Sequence, residues 1–164
     1  MKILEGRMEE TEKYMELREK ILENTLHVFN KKGLKFTMDD IAGAMGISKK
    51  TIYTVFKDKE ELFLAVVDYM FDSIKESEKQ VLQDDTLSTV DKIRMVLGVM
   101  PDGYKDVDFR QLYILKDKFP KIHAKVEERL ESGWEQTIAL IEKGMEEGVI
   151  RKISIPIVKL MMEA

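Results

Sequence analysis

TMDDIAGAMGISKKTIYTVFKDK, residues 37–59, decides the fold. Ile41, Met45, Ile47, Ile52 and Val55 are apolar where two short crossing helices would face each other or a helix beneath them. Ala42 is small where the two backbones come closest. Gly46 falls just past the last apolar residue of the first helix, where a left-handed residue ends a helix without steric cost to a Cβ. Ser48 is then placed to cap a second helix reaching Phe56. That helix turns Ile52, Val55 and Phe56 inward and leaves Lys49, Lys50, Thr51, Tyr53 and Thr54 on its other faces. Lysine supplies a point charge for a phosphate backbone, the hydroxyls can donate to phosphate or touch base edges, and a helix of this size fits the major groove. Any small helical hairpin can carry a glycine and a few lysines. The joint match of Ala42, Gly46 and the five apolar positions selects a helix-turn-helix over that plainer reading.

With those residues in place, the stretch from Arg18 through Phe63 resembles the N-terminal domain of the TetR family of transcriptional regulators. Arg18, Ile21, Leu22, Phe29, Gly33, Thr37, Ile41, Ala42, Gly46, Ile47, Ser48, Tyr53, Phe56, Lys59, Glu60 and Leu62 fit its pattern in order. The resemblance implies that Thr37 at the start of the second helix, Tyr53 in the third and Lys59 at the opening of the fourth hold phosphates. Two positions depart from the family pattern. Lys50 stands where a small residue or glycine is usual, and Thr54-Val55 replaces a polar or aromatic pair before Phe56. These departures leave the fold in place and the operator sequence open.

Charge is unevenly distributed along the chain. Residues 31–59 hold seven lysines (31, 32, 35, 49, 50, 57, 59) against three acids (Asp39, Asp40, Asp58), a local +4 in a chain of net −4, so the remainder carries −8. Such asymmetry is expected when one end meets phosphate and the other does not. At 164 residues the chain can form one domain or two small ones with a genuine core. No segment approaches the run of about eighteen apolar residues that a membrane span requires, and MKILEGRMEE runs into acids instead of an apolar signal core. The absence of cysteine excludes disulfides and thiolate metal sites, and the expected location is the cytoplasm.

Nearly everything else reads as helix, because the three prolines lie at 101, 120 and 156 and apolar residues recur at three and four. The all-α expectation is a mixed-charge leader over 1–11, a three-helix helix-turn-helix domain over 12–58, and a helical effector-binding and dimerisation domain over 59–164. The first helix spans 12–32 and ends at Gly33. Asp58 and Glu61 form a capping box for a fourth helix running to Leu82, and Ser88 with Asp91 repeats the box before a fifth that reaches Met100. Pro101-Asp102-Gly103 makes a turn, a sixth helix covers 105–118, and Pro120 opens a long seventh through Trp134 and Ile141 to Gly148. Ile155–Met162 looks like the first turns of another apolar helix. In the family two further helices normally follow and pair with a second subunit, so the chain is expected to lack part of its C-terminus.

The resemblance also implies that the helices after Leu62 enclose a small-molecule cavity. Met70, Phe71, Ile74, Met95, Met100, Phe109, Tyr113 and Trp134 supply apolar and aromatic surface for it, although residue by residue plain core packing is the stronger reading. No effector class is legible. An enzyme is the competing class, and it finds no support: His27 and His123 lie in different halves, no glycine-rich phosphate loop occurs, and Asp102, Asp106 and Asp108 lack the glycine and closing glutamate of a calcium loop. Neither cofactor nor metal is expected. The expectation is a homodimeric repressor of double-stranded operator DNA, released by a small molecule. The alternative is a helical adaptor with a vestigial DNA-binding domain, against which the set Thr37, Tyr53 and Lys59 weighs.

Overall fold

The structure is a computed structural model that describes residues 2–98 and 112–163, with the side chains of 2–6, 112, 113, 162 and 163 outside the description. All regular structure among the described residues is helical: α1 (Lys2–Lys32), a 3₁₀ turn (Gly33–Lys35), α2 (Met38–Met45), α3 (Lys49–Tyr53), α4 (Lys59–Gln83), α5 (Thr89–Gly98), α6 (Leu112–Lys118), α7 (Pro120–Glu131), α8 (Glu135–Glu146) and α9 (Ile155–Glu163). None of the described helices is long and apolar enough to cross a membrane.

Two compact units are present, one from residues 1–69 and 106–122, the other from 70–105 and 123–164. The sequence pattern places the boundary after residue 58. In the structure the first half of α4 packs with the helix-turn-helix, and so do Leu115 and Ile122, both buried in the first unit. Helix α4 is continuous through the division, so its residues belong to both units.

The core of the first unit forms around one face of α1. Ile21, Leu22, Thr25, Leu26 and Phe29 recur at helical spacing and are buried, with Phe36, Ile41, Ile52, Phe56, Leu62, Phe63 and Val66 from the following elements. Burying each such apolar side chain contributes about 1.5–3 kcal/mol, which far exceeds what α2 or α3 would gain from helix propensity alone. Phe36 stands at the centre, its ring 5.6 Å from Phe63 and 6.4 Å from Phe29 in edge-on pairs. Phe119, between α6 and α7, adds a further ring 6.3 Å from Phe63.

Helix α1 begins at Lys2, ten residues ahead of the expected start at 12. The mixed-charge leader is rich in good helix formers and has Gly6 as its one weak point, so a helix already anchored at Ile21 extends backwards through it.

The second unit has its own apolar centre in Val81, Val96 and Leu140, flanked by Leu82, Leu87 and Ile93, with α5 lying along α8. The single long seventh helix expected from Pro120 to Gly148 is two helices here, broken at Ser132-Gly133-Trp134. Gly133 adopts φ +81°, a backbone that side-chain-bearing residues rarely take, and a Cβ there would lie 2.9 Å from Lys75 Cε. Lys75 Nζ donates to the Gly133 carbonyl at 2.7 Å and to Glu78 Oε2 at 2.8 Å, and it sits over the Trp134 ring. These contacts hold the corner that an uninterrupted helix would have lacked. Met100, Phe109 and the Pro101-Asp102-Gly103 turn lie outside the described residues.

Candidate nucleic-acid interface

Helix α2 starts where its cap is chemically complete. Thr37 is extended (φ −122°, ψ 162°), its hydroxyl accepts from Asp40 N–H at 3.2 Å, and Asp40 Oδ2 accepts from Thr37 N–H at 2.9 Å. Lys32 Nζ reaches Asp40 Oδ1 at 2.6 Å. That hydrogen bond, with those from Thr37, holds the Asp40 carboxyl down at about 2. The helix ends at Gly46 with φ +65°: Gly46 N–H bonds to Gly43 O at 3.3 Å and Ile47 N–H to Ala42 O at 3.1 Å. This paired closure requires a left-handed residue and redirects the chain into the turn.

Ser48 opens α3, its hydroxyl accepting from Thr51 N–H at 3.1 Å and lying 2.9 Å from Thr51 Oγ1. The helical hydrogen bonding continues past Tyr53, since Phe56 N–H donates to Ile52 O at 3.0 Å, so the expected 48–56 element is present with a looser last turn. Ile52 and Phe56 are buried as expected, while Val55, Met45 and Ile47 are half-buried. Arg18 of α1 stacks its guanidinium 5.4 Å from the Phe56 ring centre and so fixes the foot of α3 from below.

The exposed face of this unit carries Thr37, Ser48, Lys49, Lys50, Tyr53 and Thr54, with Thr51 half-buried. Thr37 accepts at its cap and still has a proton to donate outward. Thr54 Oγ1 donates to Thr51 O at 2.7 Å and keeps its acceptor capacity. Lys49 Nζ lies 2.8 Å from Asp39 Oδ1 of α2, a pair that raises the lysine pKa. Sequence reasoning misses this counter-ion, because Asp39 and Lys49 lie on different helices and no spacing rule links them. Lys59 is placed differently from the rest. Its Nζ donates to Leu34 O at 3.0 Å and to Phe36 O, and lies 4.1 Å from the centre of the Phe36 ring.

The expected effector residues lie mainly in the second unit. Met70 and Phe71 are buried, Ile74 and Trp134 are half-buried, and Met95 is exposed on α5. Phe71 has the Arg129 guanidinium 5.5 Å from its ring centre. The side chain of Tyr113 is outside the described residues. Among the described residues no group of three or more His, Cys, Asp or Glu could hold a metal ion.

Two short capped helices joined through a left-handed glycine, with lysines and hydroxyls on the outer face, define a helix-turn-helix of the kind that transcription regulators use. Residues 21–66 match the family model described as "Bacterial regulatory proteins, tetR family". The chain is 27% identical over 135 residues, 82% of its own length and 71% of the relative's, to an uncharacterised helix-turn-helix-type transcriptional regulator, YvaF, of Bacillus subtilis. The regulator PfmR from Thermus thermophilus shares the fold with a TM-score of 0.61 at 21% identity, over 86% of this chain and 79% of that one. FadR from Bacillus subtilis, solved with stearoyl-CoA, shares it with a TM-score of 0.54 at 18% identity, over 88% and 80%. Residues 21–66 thus carry the helix-turn-helix domain of the family model, and the fold of the chain is similar to that of solved TetR-family regulators.

Proposed function

We propose that the protein is a homodimeric repressor that binds a two-fold operator through α3 and leaves it when a small molecule occupies the second unit. The observation that carries this reading is the capped α2–turn–α3 element, whose outer face presents Lys49, Lys50, Tyr53 and Thr54 to solvent while Ile52 and Phe56 anchor it to α1. Lys49, Lys50 and Tyr53 contact phosphates together with Thr37; Thr51 and Thr54 are the base-reading candidates. One such element reads too few base pairs for a genomic site. Two of them about 34 Å apart on a dimer match one turn of DNA.

The second unit is the sensor. In this reading Met70, Phe71, Ile74 and Trp134 line the ligand site, and α4, whose residues fall in both units, carries the coupling. The same fold holds stearoyl-CoA in FadR, so a long apolar acyl ligand is a reasonable first probe. The test is selection of bound duplexes from a random pool, repeated in the presence of stearoyl-CoA and shorter acyl-CoA thioesters. Enrichment of a palindrome that one of them abolishes supports the reading. A pool that yields no palindrome returns the protein to the class of helical adaptors.

A further inference from the structure

Lys59 opens α4, where the family resemblance assigns it to a phosphate. Its ammonium is committed elsewhere: it donates to the carbonyls of Leu34 and Phe36, with the ring centres of Phe36 and Phe119 at 4.1 and 5.7 Å. The two carbonyls stand at the end of the 3₁₀ turn that follows α1. There the last backbone oxygens of a helical run lack partners of their own, and a cation is favoured. An ammonium has three N–H donors, and two of them are used on this segment.

The segment so held leads directly into the interface. Phe36 is fully buried, and the next residue is Thr37, the cap of α2. Lys59 therefore ties the start of α4 to the segment immediately before the cap of α2. From the geometry we infer that Lys59 is a positioning residue, holding residues 34–36 so that Thr37 and the start of α2 meet DNA correctly, and that it is not itself a phosphate ligand. Burial pushes the Lys59 ammonium pKa down, with Asp40 opposing, as suits a cation whose partners are internal dipoles more than solvent. The inference rests on the DNA-binding reading for its consequence, and on the free protein alone for its geometry.

The test uses Lys59→Met, which keeps the stem against Phe36 and removes the ammonium, Lys59→Arg, which keeps a cation able to span two carbonyls, and Lys50→Ala as the phosphate control. In the free protein, amide exchange at Asp40 and Ile41, whose N–H groups bond to Thr37, should rise about tenfold or more in Lys59→Met, because charged hydrogen bonds are lost, and should stay near wild type in Lys59→Arg. Binding is measured against salt with a random-sequence duplex as probe, since non-specific affinity is carried by phosphates. Lys59→Met should weaken binding and leave the log–log salt slope unchanged, while Lys50→Ala flattens the slope by about 0.9. A slope reduced by about 0.9 in Lys59→Met with unchanged amide exchange would make Lys59 a phosphate ligand and overturn the inference. Unchanged exchange with unchanged binding would overturn it as well. Wild-type protein that bound no duplex at low salt would remove the DNA reading itself, and amide exchange would still decide whether Lys59 holds the segment.

Discussion

Gly43 and Gly46 lie three residues apart, and alanine should act in opposite directions at the two. Gly43 is inside α2, exposed, with nothing within 4 Å of where an added methyl group would lie; Gly46 closes α2 at φ +65° and is equally open. Neither substitution meets a clash, so each effect is conformational. At Gly43, alanine relieves the helix-interior penalty of glycine and should stabilise by about 1 kcal/mol. At Gly46, the left-handed backbone costs an L-residue about 1–2 kcal/mol, and the stiffer unfolded chain returns about 0.4–1 kcal/mol, leaving a net loss of about 1 kcal/mol. The two variants should therefore differ by about 2 kcal/mol, roughly thirtyfold in the unfolding equilibrium of the first unit. Urea denaturation followed by far-UV circular dichroism measures the difference. Native-state amide exchange at Ile21 and Ile52 assigns it to that unit, because the single tryptophan, Trp134, belongs to the other. Gly46→Ala as stable as wild type would refute the account of the turn, and Gly46→Asn, which tolerates left-handed backbone, should lose less than alanine does.

Asp39→Asn frees Lys49 and removes a carboxylate from the face proposed to meet phosphate, so it should tighten duplex binding by a few-fold at low salt, the range of an exposed pair, with the gain fading at high salt in a fluorescence anisotropy titration. The Asp40 carboxyl sits at about 2 in the folded state against an ordinary 3.8, so its stabilising contribution is complete above about pH 5 and lost as pH falls through 2. Wild type and Asp40→Asn should accordingly differ in denaturant stability at neutral pH and converge at the acid end. Gly133→Ala faces both an unfavourable φ and the Lys75 stem, and should destabilise the second unit by about 1–3 kcal/mol, seen as a lower urea midpoint by Trp134 fluorescence.

The helix-turn-helix was legible because its signals are local. Ser48, Gly46 and Asp58 each act within four residues of their partners, and each cap is in place. The Glu61 carboxylate of the box expected with Asp58 reaches one residue further than the pattern requires, to Lys57 N–H at 2.7 Å. What the sequence did not reveal depends on distant partners. The break at Gly133 is held by Lys75, 58 residues away, and the inward turn of Lys59 is set by a carbonyl 25 residues before it. The proposed effector residues were less legible for another reason. Apolar periodicity places Met70 and Phe71 inside, but the wall of a cavity and the wall of a filled core share one pattern.

The placement of residues 112–122 bears on how portable the helix-turn-helix unit is. Leu115 and Ile122 are buried in the unit that holds the helix-turn-helix, Phe119 meets the Phe63 ring, and Lys121 pairs with Glu60 at 2.9 Å. A fragment stopping near residue 69 would bare the surface that these side chains cover. A chimera that grafts this reader onto a foreign sensor would inherit the same defect unless the α6–α7 corner travels with it. Inheritance of new specificities by exchange of whole sensor halves is constrained in the same way: the graft must either bring a compatible corner or retain this one.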